Sequence, residues 1–396
     1  MSGPADPQGV IYLDYNATTP CDPRVVEEML PYFTAHFANP SSSTHRPGRQ
    51  AADAVEEARE RVARLVSARP RDVVFTSGAT ESNNLALYGV ARAALAGGDR
   101  RRRIITSPTE HKAVLEPCQD LAGMGFDVQH VPVDCAGVVD LEALAHLLSS
   151  ETLLVSIQAA NSEVGTVQPL TRIAEMVQEV GALFHCDATQ AVGRASLEWS
   201  DLPIDLLSFS SHKMYGPKGA GALIAGRGVR QGRLQPLTRG GGQEAKLRAG
   251  TQNVPAIVGF GAACRILEAA GENEAKQFEK QRNFFEAELQ KSLPDISFNG
   301  DVSQRLPNTS SVTVRGVEAD ALLANLPHLA LSLGSACNSG ALEPSYVLLA
   351  LGLSREDADA TFRLSLGRWT TRQQLVIAVQ EITQAATRLR EMAVAE

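Results

Sequence analysis

Seven short apolar runs, at residues 73–76, 104–107, 128–131, 153–157, 183–186, 206–209 and 221–225, alternate with amphipathic stretches along this chain. In the stretch before the first run, Ala51, Val55, Ala58, Val62 and Leu65 recur at steps of three and four, the period of a helix with one buried face. Strands and helices that alternate this way build a mostly parallel sheet with helices on both faces, because a parallel connection must cross over the sheet. The pattern therefore predicts an α/β fold with a mostly parallel seven-stranded sheet. Ligands on such sheets bind beyond the carboxyl ends of the strands. The residues just after each run are where chemistry is expected.

After about Gly261 the pattern changes. A charged helix is predicted over about 273–292, with Phe278, Phe285 and Leu289 on one side. A strand-like 311–314, a helix near 319–326 and a last helix from about Thr371 follow; in the last, Leu375, Val379, Ile382, Ala386 and Leu389 are in register. This reads as a smaller α+β domain made of residues 1–19 and 261–396, with the strand-like 11–14 packing on it. Residues 20–260 form the large domain.

A chain of 396 residues with 44% hydrophobic and 21% charged residues can bury two cores and is not disordered. Its net charge of -8 argues against general nucleic-acid binding, which needs a basic surface. The run Arg100 to Arg103 reads as a solvated loop. None of the six cysteines forms a C-x-x-C pair, so neither a zinc ribbon nor a redox dithiol is indicated. The start MSGPADPQGV lacks the basic and apolar regions of a signal peptide, and no uncharged apolar run is long enough to span a membrane. A cytoplasmic, thiol-reducing compartment is the expectation.

The stretch SFSSHKMYGPKG sets Lys213 directly after an apolar run, among hydroxyls, before a glycine-proline turn. A lysine that forms a Schiff base must be desolvated enough to act as a nucleophile near neutral pH, with donors nearby for an anionic cofactor. This points to pyridoxal 5′-phosphate. FTSGATES follows a run and opens a helix; the amides of Ala79 and Thr80 at its N-terminus can bind phosphate. An ordinary Ser/Thr-capped helix is the alternative there. In FHCDATQAVG, Asp187 can keep a pyridine nitrogen protonated, and Gln190 can donate to a ring oxygen; Asp187 can equally be a helix N-cap. His111 in TEHKAV could stack on a planar ring, or be structural. Cys337 lies in GSACNSGALEP, a small-residue loop that leaves a thiol exposed, whereas the other five cysteines read as buried and inert. Arg363 in FRLSLGR can grip a carboxylate through both its amino groups, or can be a surface arginine.

These residues, in this order, together with YLDYNATTP, NPSSSTH, SFSSHKMYGPKG, RAGTQN and GSAC…LEPSYVL…FRLSLGR, resemble the cysteine desulfurases of the NifS/IscS type, which are class V, fold-type I pyridoxal-phosphate enzymes. The resemblance runs from about Ile11 to Leu389. It implies that Lys213 holds the cofactor and moves protons, Asp187 pairs with the ring nitrogen, His111 stacks on the ring and Gln190 bonds its oxygen. It implies that Thr80, Ser210 and His212 bind the phosphate, and that Thr251 reaches the phosphate of a second subunit in a homodimer. Asn39 and Arg363 are implied to hold the carboxylate of L-cysteine. Cys337 takes its sulfur as a persulfide, leaving alanine, and passes it to an acceptor protein.

Three departures stand out. The family's paired asparagines are Asn161 and Ser162 here, so Ser162 must meet the ring oxygen at shorter reach, through water, or not at all. The glycine usual before the His-Lys pair is Ser211. The chain ends soon after Met392, where relatives serving the iron–sulfur scaffold carry a longer docking tail; this favours a specialised acceptor pathway, DNA phosphorothioation, over iron–sulfur assembly or tRNA thiolation. The alternative activities are a selenocysteine lyase or another pyridoxal-phosphate lyase or aminotransferase. A non-catalytic scaffold is disfavoured by the intact Lys213, Asp187, His111 and Cys337.

Overall fold

The computed structural model describes residues 9–195, 202–333 and 343–395. A short strand β1 (Ile11–Tyr12) precedes the large sheet of β2 (Val73–Thr76), β3 (Arg103–Thr106), β4 (Asp127–His130), β5 (Thr152–Ser156), β6 (Leu183–Asp187), β7 (Leu206–Ser210) and β8 (Gly221–Ala225). Its order is β2-β8-β7-β6-β5-β3-β4, and only β8 runs against the rest. The seven strands are those marked by the apolar runs, with ends moved by a residue at most. Strands β2, β5, β6 and β7 are buried along their whole length, because helices cover both faces; burial on both sides is why they read as unbroken apolar runs.

The helix Arg46–Leu65 buries Ala51, Val55, Ala58 and Val62, the face its periodicity marked. It packs on the 39-residue helix Val254–Ser292. This long helix differs from the expectation of a helix over 273–292. Its first three turns, residues 254–264, carry no charged side chain and enter the main core through Phe260 and Cys264, so no amphipathic period marks its start. Its second half turns Phe278, Phe285 and Leu289 into a second core. Between them Gly271 leaves the helical conformation (φ 54°, ψ -152°), a backbone region open to glycine. By length and composition the helix could cross a membrane, but 67% of its apolar window is buried in the protein.

The second core lies against a four-stranded antiparallel sheet of β9 (Ile296–Asn299), β10 (Thr309–Val314), β12 (Ser332–Leu333) and β13 (Thr361–Ser365), in the order β12-β13-β10-β9. The chain's first strand β1 pairs in parallel with β11 (Leu329–Ala330), which brings Leu13 into this core.

Gly221 opens β8 between Thr76 of β2 and Ser210 of β7. A Cβ there would lie 2.6 Å from Gly78 Cα and 2.9 Å from the Phe209 carbonyl oxygen, backbone that has nowhere to move. Gly221→Ala is expected to lower stability by about 2–3 kcal/mol in urea unfolding, as overpacking does; an unchanged midpoint would contradict this close approach.

Candidate active site

Residues following the carboxyl ends of β2, β3, β5, β6 and β7 line one cavity of about 620 Å³. Ten residues singled out from the sequence meet there: Ala79, Thr80, His111, Ser162, Asp187, Gln190, Ser210, His212, Lys213 and Arg363. Asn39 and Thr251 are exposed and do not line it. Cys337 lies outside the described residues.

Lys213 ends a 3-10 turn, Ser211–Lys213, that leaves β7. It is half-buried; its Nζ donates to the Ala17 carbonyl oxygen at 2.8 Å and to that of Asn16. His212 pairs through Nδ1 with Thr18 Oγ1 at 3.0 Å. Burial, with the positive charges of Lys213, Lys218 and Arg194, pushes His212 down to about 4, so its ring is neutral at pH 7. Beside them Ser211 is fully buried, and its Oγ has no hydrogen-bond partner among the described residues. It presses on Gly216, where a Cβ would fall 1.9 Å from that oxygen.

Asp187 is the last residue of β6 rather than just past it. Its Oδ2 accepts from Asn83 Nδ2 at 2.6 Å, and its Oδ1 from the Thr189 amide at 2.9 Å. Gln190 donates from Nε2 to the Asn16 carbonyl oxygen at 3.0 Å. Across the cavity the helix Ala79–Gly97 begins after Gly78, which provides no side-chain cap. The turn is pinned by Thr76 and Ser82, whose hydroxyls lie 2.8 Å apart, and by Glu81, which accepts from the Ser77 amide at 2.6 Å. The alternative of a Ser/Thr-capped helix is thus not what the structure shows.

His111 is an exposed N-cap: its Nδ1 accepts from the Ala113 amide at 3.0 Å, so in the neutral ring the proton is on Nε2. Arg363, on β13, donates from Nη2 to Asp14 at 2.7 Å and from Nη1 to the Ser162 carbonyl oxygen at 3.0 Å; its Nε is buried and has no partner among the described residues. It is therefore no surface arginine. Ser162 contributes its carbonyl oxygen to Asn16 and Arg363 alike.

Other functional neighbours escaped the sequence reading. Asn83 lines the cavity, and its Oδ1 is buried with no partner among the described residues. Asn16 is almost fully buried beneath Lys213. Glu163 lines the cavity, accepts from Ser345 Oγ at 2.5 Å and is pushed up by burial. The one signal for Asn83 was a polar TESNN at the head of an otherwise apolar helix. The reading of the other five cysteines as buried needs correction: Cys118, Cys186 and Cys264 are buried, and desolvation pushes Cys186 well up, but Cys21 is half-buried and Cys135 is exposed in a turn.

The family model for class-V aminotransferases matches residues 11–377. The chain belongs to the class-V aminotransferase family. It is 46% identical to the "Cysteine desulfurase IscS" of Klebsiella pneumoniae subsp. pneumoniae, over 96% of this chain and 94% of that one. Among solved structures, a "NIFS-LIKE PROTEIN" superposes with a TM-score of 0.88 at 38% identity, covering 96% of this chain and 99% of that one. The structure of "SspA in complex with cysteine" gives a TM-score of 0.78 at 37% identity, over 91% and 99%.

The cofactor of this family is pyridoxal 5′-phosphate, and the cavity fits it. The uncapped helix start at Gly78 and the cations around His212 suit a phosphate. Asp187, held at both oxygens, suits a ring nitrogen, and Lys213 suits an aldehyde carbon.

Ser211→Ala removes a buried hydroxyl that bonds to nothing, so it is expected to stabilise the protein by about 1 kcal/mol in urea unfolding; a loss of that size would show that the hydroxyl has a partner. A second expectation concerns pH in the cofactor-free protein. His212 and the fully buried His185 both titrate below their ordinary value when folded. Above about pH 6.5 both states are neutral. As pH falls from there through about 4, the unfolded chain takes up protons that the folded one refuses, so stability present above 6.5 is lost. Urea midpoints should fall from pH 7.5 to 5, and less steeply in His212→Asn.

Proposed function

We infer that this chain is a pyridoxal-phosphate-dependent cysteine desulfurase. It takes sulfur from L-cysteine, leaves L-alanine and holds the sulfur as a persulfide on Cys337 for an acceptor protein. The observation that carries this is the single cavity in which Lys213, Asp187, Gln190, Arg363 and the uncapped start of the Ala79–Gly97 helix converge. The near full-length likeness to a desulfurase supports it, as does Cys337 on its small-residue loop.

When bound, the cofactor draws electrons from the substrate so that its Cβ–S bond can break. Lys213 Nζ, seated on the carbonyls of Asn16 and Ala17, would hold the cofactor's aldehyde carbon and is placed to carry protons to and from the substrate. Asp187, fixed by Asn83 and Thr189, holds a proton at the ring nitrogen. Ala79, Thr80, Ser210 and His212 take the phosphate; His111 and Gln190 take the ring face and its oxygen, with Ser162 beside them. Arg363 receives the substrate carboxylate while Asp14 keeps it in place. Cys337 gives up its thiol proton and bonds to the substrate sulfur as the Cβ–S bond breaks; that proton and electron pair go to Cβ, yielding the methyl of alanine.

In this reading residues 20–260 hold the cofactor, and the small domain (1–19 and 261–396) carries Cys337. Thr251, exposed on this chain, serves the phosphate of a partner subunit, so the active unit is a cytoplasmic homodimer.

The purified protein is expected to be yellow, with borohydride fixing the cofactor to Lys213. Cys337→Ala should keep the absorbance and form no persulfide from L-cysteine. Undiminished sulfide release by Cys337→Ala, or a colourless protein that takes up no added cofactor, would sink the assignment.

A further inference from the structure

Arg194 is buried to 7% exposure, and among the described residues it forms no ion pair. A guanidinium removed from water is normally matched by a carboxylate. Here its four partners are neutral oxygens: Asn16 Oδ1 at 2.9 Å, Gln190 Oε1 at 2.7 Å, the Tyr15 carbonyl at 3.1 Å and the Lys213 carbonyl at 2.9 Å. It is not one of the cavity-lining residues, yet three of these four acceptors belong to residues that are.

Each contact decides something about the cavity. Because Gln190 Oε1 accepts from Arg194, the amide end that is left is Nε2, a donor. Gln190 can then donate to an oxygen in the cavity, and its amide cannot be turned round without setting its NH2 against the guanidinium. Gln190 and Arg194 stand four residues apart in a helical turn, the spacing that stacks side chains. At Asn16, the bond to Oδ1 directs Nδ2 to Ser162 and Thr309, and leaves the main-chain carbonyl for Lys213 Nζ. The bond to the Lys213 carbonyl fixes the backbone from which that amine extends. Its uncompensated charge also helps keep His212 neutral.

We propose that Arg194 is a positioning residue of the reaction: one buried guanidinium behind the wall sets the place of the Lys213 amine and the donor end of Gln190 at once. This rests on the cofactor reading above and adds to it a residue that touches neither cofactor nor substrate. A positive charge is the requirement: the acceptors are all oxygens, and a neutral amide of similar length offers only two donors and no charge, whereas a lysine ammonium offers three donors and the charge.

The test compares wild type, Arg194→Lys and Arg194→Gln as cofactor-loaded full-length protein. Absorbance of the bound cofactor and its rate of release are read without L-cysteine, and kcat and KM with it. Arg194→Lys should keep the absorbance and stay within about 3-fold in kcat. Arg194→Gln should shift the absorbance, release cofactor about 10-fold faster and lose 10-fold or more in kcat with KM little changed, as loss of an oriented group does. Equal damage in both variants, seen only as a lower melting temperature, would reduce Arg194 to a structural part and overturn the proposal. So would a wild-type spectrum and kcat in Arg194→Gln. Should that variant not fold, Gln190→Glu answers: it keeps an acceptor for Arg194 but replaces the donor end by an acceptor, and an unaltered spectrum there would also overturn the proposal. A protein that takes up no cofactor in any form refutes the enzyme reading; a yellow one indifferent to Arg194→Gln refutes only this inference.

Discussion

One buried asparagine joins the parts of this molecule. Asn16, 1% exposed, donates its amide to Ser365 Oγ and its Nδ2 to Ser162 and Thr309. Its Oδ1 accepts from Arg194 and Asn308, and its carbonyl from Gln190 and Lys213. It therefore bonds at once to the large sheet's loops, the small sheet and the lysine turn. Each such bond is worth about 1 kcal/mol net, but the loss of the hub would strand several buried partners at about 1–3 kcal/mol each. The segment around Asn16 is thus a joint, and the seat of Lys213 depends on strands far away in sequence.

What the sequence disclosed follows from locality. Parallel strands buried on both faces must be apolar throughout, so all seven were visible as runs. Lys213, Asp187 and the turn at Ala79 and Thr80 follow those runs directly, and a residue at a strand end announces its position. Arg363 remained open between a substrate grip and the surface, because what buries it is Asp14, 349 residues away. The strands β9, β12 and β13 and the first half of the Val254–Ser292 helix were hidden for opposite reasons: polar residues such as Ser297, Asn299, Thr361 and Arg363 break up the strands' apolar runs, and the helix starts too apolar to show a period. Asn83 and Arg194 act on other side chains rather than on a ligand, and no local pattern encodes that.

Charge is distributed unevenly around the cavity. Burial pushes Glu110 and Glu163 upward toward their neutral forms, and Asp187 adds to the effect on Glu110. Arg194, near His212, has no such route to neutrality, because a guanidinium keeps its proton. The wall is left positive around His212, with the carboxylate of Asp187 anchored separately on β6. An anionic, zwitterionic ligand meets opposite charges at two different places.

The antiparallel strand β8 has a metric consequence. It is inserted between β2, which leads to Gly78, and β7, which leads to Lys213, and β6 with Asp187 comes next. Three strand spacings of about 4.8 Å thus separate the anion-binding turn from the carboxylate, a span of about 14 Å. With a hydrogen bond of about 3 Å at each end, the sheet leaves room for a molecule about 8 Å long between its anionic tail and its basic nitrogen. The backbone ladder acts as a ruler: ligand length is gauged by hydrogen-bonded strands, which mutation of cavity side chains cannot reset.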